Sequence, residues 1–295
     1  MRVFLTGSTG FVGTQVAREL LNAGHQVLGL TRSDAGARTL QALGAEAHLG
    51  NIEDLASLQR GAQLCDAVIH TAFDHDFARF VANCQKDAGV IAALGSALQG
   101  SQRPLIITSA TPMDSSAPGQ PADEDHFNPE HPNPRIASEL AGNMLLQGGV
   151  NVVVVRLSQI HNPLKQGLVT EVIKQARESR ISAYVEEDLN QWSAAHVTDT
   201  AQLYRLALEK HQPGARYHAT AESRIPFRLI AQTIAEGLGI PSVAVSADEA
   251  MQHFGWLSSF VGKDMSSMSD KTQTRLGWKP RGPGLIDDMR SFFEG

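Results

Sequence analysis

Met1-Arg2-Val3-Phe4-Leu5-Thr6-Gly7-Ser8-Thr9-Gly10-Phe11-Val12-Gly13 decides how the rest of the chain is read. Val3-Phe4-Leu5 is long enough for one buried parallel strand. Behind the glycines Val12, Val16 and Leu20 recur at i, i+4 and i+8, and Ala17 and Leu21 widen that face into an amphipathic helix. A strand that runs through G-x-x-G-x-x-G into a helix is a phosphate cradle. Gly7 permits the tight turn, Gly10 lets backbone approach a diphosphate, and Gly13 lets helix and strand pack closely. The helix start adds free N–H groups and a positive dipole end. Thr6, Ser8, Thr9, Phe11 and Val12 complete the expected cofactor turn. Its spacing differs from the commoner G-x-G-x-x-G, so its weight comes from its place and from the βαβ pattern behind it.

That pattern continues for half the chain. Gly24 caps the first helix, and His25 to Thr31 is the second strand. Ser33 or Asp34 starts a short helix ending near Gly44. Glu46 to Gly50 is a third strand, followed by a helix with Leu55 and Leu58 inward. Ala67 to Ala72, a helix from Asp76 to Leu98, and Pro104 to Ser109 follow. Strands alternating with helices predict an α/β fold, a Rossmann-like doubly wound parallel sheet. Ala110 to Pro134 interrupts it with prolines and an acidic run lacking Lys or Arg; a loop this long is usually a lid or binding segment, or is disordered. A helix from Arg135 to Gln147 and the apolar strand Val150–Leu157 resume the rhythm. Beyond Pro163 the order loosens. A helix near 164–178, a strand near Ser182–Val185, a helix opened by His196, a strand Arg216–Ala219, a helix starting at Pro226 and a capping box at Ser246–Glu249 are expected. Residues 1–160 thus read as the dinucleotide-binding domain, with its lid-like loop 110–134. Residues 161–295 read as a smaller α/β substrate lobe interleaved with the sheet.

The 295 residues are 42% hydrophobic and 19% charged, with a net charge of −6. This suits one sizeable core and argues against a nucleic-acid or anionic-membrane partner. No apolar run approaches the roughly 20 residues of a membrane span, and the N-terminal apolar run ends too early for a signal peptide. Cys65 and Cys84 lack metal-ligand spacing and suit core thiols in a reducing, cytoplasmic setting. No metal site is expected, and a homodimer stays open.

At the end of the second strand, where a carboxylate would hold the ribose hydroxyls of NAD, stands Thr31-Arg32-Ser33. No carboxylate there repels a 2′-phosphate, and a guanidinium pairs with one, so NADP(H) is expected over NAD(H). A solvated surface charge is the plainer reading of Arg32. Asn51 and Ile52 offer an amide and an apolar wall to the adenine, or form a plain turn. Thr71, Ala72 and Phe73 pass under the diphosphate and ribose.

Thr6 to Gly13, Val68-Ile69-His70-Thr71-Ala72, Ile106-Ile107-Thr108-Ser109 and Val155-Arg156-Leu157 together resemble the successive signatures of extended short-chain dehydrogenases/reductases. The likeness is to the epimerase/dehydratase and 3β-hydroxysteroid-dehydrogenase-like branch and covers nearly the whole chain. It implies a nicotinamide cofactor on a Rossmann sheet, a substrate in the C-terminal lobe and hydride transfer at a carbinol or carbonyl carbon. It also implies a Tyr-x-x-x-Lys pair on the helix after the fifth strand, whose Tyr exchanges the proton and whose Lys binds the nicotinamide ribose. Here Arg135 stands at the Tyr position and Glu139 at the Lys position, and Tyr184, Tyr204 and Tyr217 all lie elsewhere. Arginine stays protonated, so Arg135 polarises a carbonyl rather than donating a proton; an i,i+4 ion pair with Glu139 is the plainer expectation.

The resemblance places Ser109 at the substrate oxygen, a plain polar strand end being the other reading, with Thr111 just after it and His161 on the nicotinamide side as a candidate acid. His75 and His196 are rivals. Trp192 and Tyr184 wall an apolar substrate or, more plainly, fill the lobe core. The leading expectation is an NADP(H)-dependent oxidoreductase, of carbonyl reductase or alcohol dehydrogenase type, acting on a small organic molecule. An NADP-binding redox sensor without catalysis and a sugar-nucleotide epimerase or isomerase are the alternatives. The last is weakened by the absence of a basic cluster in the second half to receive a diphosphate.

Overall fold

The computed structural model describes residues 1–111, 119–186 and 190–295. The first half is β1 (Arg2–Thr6), α1 (Phe11–Asn22), β2 (Gln26–Thr31), α2 (Asp34–Ala42), β3 (Glu46–Leu49), α3 (Leu55–Gln63), β4 (Ala67–His70), α4 (Phe80–Ser96) and β5 (Leu105–Ala110). Next come α5 (Ile136–Gln147), β6 (Val152–Leu157), β7 (Gln159–Asn162), β8 (Lys165–Gln166), α6 (Val169–Ser179), β9 (Ser182–Val185) and β10 (Gln191–His196). The remainder is α7 (Val197–Glu209), β11 (Arg216–Ala219), β12 (Glu222–Pro226), α8 (Phe227–Leu238), β13 (Ser242–Val245), α9 (Ala247–Phe254), α10 (Ser258–Val261), α11 (Asp270–Leu276) and α12 (Leu285–Glu294).

Seven parallel strands form the main sheet in the order β11-β6-β5-β4-β1-β2-β3. Val3, Phe4 and Leu5 have no exposed surface, because helices cover both faces of a parallel sheet. The chain reverses strand order beside β1, the crevice where such folds hold ligands. A second sheet, β12-β10-β7-β8, and the pair β13-β9 build the other lobe around Trp192, Phe227 and Ile230. Strand β11 comes from the second half of the chain yet pairs with β6, so the two lobes share chain segments.

Several local expectations are corrected. Leu55 is 44% exposed, because it opens α3 before the inward stripe of Leu58 and Ala62 closes on the sheet. The helix expected from residue 164 begins only at Val169. Pro163 and Gly167 bracket a β7–β8 hairpin whose turn is held by Asn162 Oδ1, which accepts the amides of Leu164 and Lys165. Strands β10, β12 and β13 are additions. Of the long acidic loop, residues 112–118 lie outside the described residues. The following stretch is tied down: Asp123 pairs with Lys271 and Asp125 with Arg275. The buried Glu124 carboxylate accepts the amide and hydroxyl of Thr272 in the first turn of α11, a cap supplied from far away in sequence.

Candidate active site

The cofactor end is built from backbone. Gly7 turns the chain at φ +68°, and a Cβ there would lie 2.7 Å from the amide nitrogen of Ala72. A Cβ on Gly13 would come within 2.0 Å of the Gly7 carbonyl oxygen. Gly10 caps α1 with no side-chain hydrogen bond, and a Cβ on it would meet only the Gly7 oxygen. The first i to i−4 bond of the helix is made by Thr14 N–H to Gly10, which leaves the amides of Phe11, Val12 and Gly13 for an anion. This cradle fits a dinucleotide diphosphate.

Its side chains divide into braces and free groups. Ser8 Oγ donates to the Leu30 carbonyl and ties the loop to β2, and Ser33 caps α2 by accepting the amide of Gly36. Thr71 Oγ1 donates to the Thr6 carbonyl. Asn51 spends its side-chain oxygen on the amides of Glu53 and Asp54, and Ile52 packs partly on the core under β2 and β4. Thr9 and Arg32 are exposed, and among the described residues Arg32 has no carboxylate partner.

The other end is built from side-chain charge. Thr6 and His70 are register partners on β1 and β4. Ala72 N–H donates to Thr6 Oγ1, Thr6 O–H to His70 Nδ1 at 2.7 Å, and His70 Nε2–H to Asp87 at 3.0 Å. This order leaves no donor facing a donor. Asp87, on α4, takes Ser138 and the Arg135 guanidinium on its other oxygen. Burial would raise the Asp87 carboxyl, but Arg135 and His70 overcome it and hold the group well below the usual carboxylate range. Arg135 also donates to Ser138 and to the Thr108 carbonyl. Thr108 Oγ1 donates to the His70 carbonyl and accepts from Tyr204, whose phenol burial pushes far up.

The expected Arg135–Glu139 ion pair does not form. Arg135 precedes the first turn of α5 and points to β5 and α4, whereas Glu139, one turn on, faces β6. There Glu139 binds Arg156 at 2.8 Å through a two-pronged contact, both side chains fully buried, and Arg216 at 3.1 Å. Burial would raise this carboxyl too, but Arg156 and Arg216 keep it below its ordinary value. Ser109, paired in register with Arg156, is buried beside this network with its hydroxyl lacking a hydrogen-bond partner among the described residues, and Thr111 is buried just after the strand.

The Arg135 guanidinium lies 4.1 Å from the centre of the Phe73 ring. From Phe73 an aromatic wall continues through Phe80 and Phe77 to the second lobe, where Phe77 stacks on Trp256 at 4.4 Å. His75 stands against Phe73 and Phe77. Burial, Lys165 and Arg135 together lower its pKa. His161 lies apart. It is fully buried, bound to Asp288 of α12 at 2.6 Å and edge-on to His196, and among the described residues no hydrogen bond or ring contact joins it to Ser109, Thr111 or Arg135. Trp192 is core, packed on Phe227, and Tyr184 is half-buried beneath Arg228.

The residues that sequence reasoning missed are His70, Asp87 and Tyr204. Asp87 did leave a signal, since Cys84, Asp87, Ile91 and Leu94 share the buried stripe of α4. Among the described residues no cluster of His, Cys, Asp or Glu is arranged to hold a metal, and no helix is long and apolar enough to cross a membrane.

An uncharacterised protein of Schizosaccharomyces pombe is 44% identical over 292 residues, 99% of each chain. A Stigmatella aurantiaca protein, 4-hydroxy-2-methyl-3-oxo-4-farnesyl-3,4-dihydroquinoline-1-oxide ketoreductase, is 26% identical over 95% of this chain and 92% of its own. The Thermus thermophilus UDP-glucose 4-epimerase, solved with NAD, superposes with a TM-score of 0.77 at 18% identity, covering 100% of this chain and 99% of that one, and so shares the fold. The glycine cradle, the sheet that carries it and the strands beyond all fall within residues 3–220, which match the family model as one stretch: the chain belongs to the NAD dependent epimerase/dehydratase family.

Proposed function

We propose that this protein is an NADPH-dependent ketone reductase whose substrate has an apolar, ring-bearing body. The observation that carries the reading is Arg135. Three of its N–H groups are spent on Asp87, Ser138 and the Thr108 carbonyl. A guanidinium has five, so two remain for a substrate oxygen. When bound, the reduced nicotinamide supplies a hydride to the carbonyl carbon. The π electron pair then moves onto oxygen, and Arg135 holds that oxyanion. Held by Asp87 and by Phe73, the guanidinium is pre-organised for this and needs no rearrangement as charge develops. It cannot give up a proton, so the alkoxide takes one from water at the cleft mouth, where His75 stands. The aromatic wall from Phe73 to Trp256 suits a planar substrate, and the Stigmatella aurantiaca relative is a ketoreductase of a farnesyl-bearing dihydroquinoline. NADPH is preferred because Arg32 is unpaired and no carboxylate ends β2.

Steady-state NADPH oxidation against aryl and alkyl ketones tests the reading. Turnover should fall by about 10²–10³ in kcat for Arg135→Gln, with NADPH affinity retained. Equal kcat in that variant would remove Arg135 from the reaction. A second reading has its own observation: both reactive positions are occupied by residues sunk in ion networks. It makes the chain an NADP(H) sensor, with unequal affinity for the two redox forms and no turnover across the panel.

A further inference from the structure

The β7–β8 hairpin belongs to the second lobe but reaches back to the cofactor loop. Its tip is braced: Asn162 Oδ1 accepts the amides of Leu164 and Lys165 at 2.9 and 3.0 Å. Buried Gln166 donates its side chain to the Asn162 carbonyl, and its own amide donates to Thr170. From this fixed turn the Lys165 ammonium extends to 5.7 Å from the ring centre of Phe11, the residue that follows Gly10 at the start of α1. Lys165 is exposed, and among the described residues it has no carboxylate partner. With Arg135 it is one of the two cations that lower the pKa of His75, so it stands near that ring.

The loop itself lacks a cation. Between Thr6 and Gly13 no side chain carries positive charge, so the amides of α1 face a doubly charged diphosphate with partial charges only. Arg32 follows β2, where the proposed reading puts the 2′-phosphate of NADPH. We propose that Lys165 is a cofactor-binding residue supplied by the second lobe, its ammonium neutralising the dinucleotide diphosphate at the start of α1. This rests on the reading of the loop as a nicotinamide-dinucleotide site. The lobe that encloses substrate thereby also clamps the cofactor, through a hairpin stiff enough to hold a point charge in place.

The test is binding rather than turnover: fluorescence titration of NADPH and NADH into wild type, Lys165→Met, Lys165→Arg and Arg32→Ala. Both dinucleotides carry the diphosphate and only one carries the 2′-phosphate. Lys165→Met should therefore weaken both by the same factor, about tenfold. It should also flatten the salt dependence, and Lys165→Arg should restore most of the affinity. Arg32→Ala should weaken NADPH alone. The proposal is overturned if Lys165→Met leaves both affinities within twofold, or lowers only that for NADPH. A raised ketone KM with unchanged cofactor affinity overturns it too, by moving the ammonium to the substrate. Wild type that binds neither dinucleotide overturns the cofactor reading itself, and this proposal with it.

Discussion

The two ends of the cleft are made differently. At the cofactor end the glycine cradle offers backbone amides, and the side chains from Thr6 to Gly10 are small or absent. At the candidate reaction end the available groups are side-chain charges, each answered by an opposite charge from another element. Arg135 is answered by Asp87 of α4, and Glu139 by Arg156 of β6 and Arg216 of β11. A buried ion without a partner costs several kcal/mol. The charges at Arg135 and Glu139 are therefore readable only as a set, with the compensating residues included. The glycine cradle is intolerant of added volume, and the Arg135 and Glu139 networks are intolerant of a lost charge.

Breaking one member of a set is the strongest way to test that contrast. Glu139→Gln leaves Arg156 buried without its counter-charge and should destabilise the fold by about 3–5 kcal/mol. Chemical denaturation followed by tryptophan fluorescence reads this directly. A second change, Arg156→Met, should recover a large part of the loss, since a buried pair replaced by apolar side chains is often neutral. A loss below about 1 kcal/mol for the single variant would mean the network is not compensated in the way described.

At the cofactor end the corresponding lesion is volume. Gly13→Ala places a Cβ 2.0 Å from the Gly7 oxygen, so the loop must shift. Overpacking of this kind costs about 1–3 kcal/mol, and the expected loss of NADPH affinity is roughly 30-fold. Gly89→Ala is the control. It lies in α4 with nothing near its missing Cβ, and should gain about 0.5–1 kcal/mol of stability with cofactor binding unchanged. Unaltered NADPH binding in Gly13→Ala would show that the cradle yields.

This asymmetry explains what the sequence disclosed. Glycine spacing and strand–helix alternation are local patterns, so β1, α1 and the main sheet were legible. Arg135 and Glu139 were visible as a departure, but their partners lie tens of residues away and reach them only through the sheet. Asp87 was detectable, being a charge on an otherwise apolar stripe of α4. The β8 half of the β7–β8 hairpin reads as helix in the sequence, because Leu164 and Leu168 stand at helical spacing over a short run. The Phe77–Trp256 stack joins two lobes and has no local signature at all.

The gentlest probe of the comparison is pH, because Thr6 to Gly13 contains no titratable side chain and the reaction-end network does. His218 on β11 is fully buried. Its Nδ1–H donates to the Met268 carbonyl and its Nε2 accepts from Arg156. A second proton would aim an N–H at the guanidinium. Burial first, and Arg156 next, push its pKa down to about 3. The folded chain thus keeps His218 neutral where the unfolded chain protonates it, below roughly pH 6.5. The stability it contributes is complete above that pH and is lost as pH falls toward 3, with a slope of at most about 1.4 kcal/mol per pH unit for this one proton. His161, lowered by burial against the opposing pull of Asp288, adds in the same direction. His218→Gln retains an acceptor for Arg156 and should remove one proton's share of the slope between pH 6.5 and 4, measured as denaturation midpoints. An unchanged slope would show that His218 takes up its proton alike in the folded and unfolded chain, so that the network carries no charge-selective strain at β11.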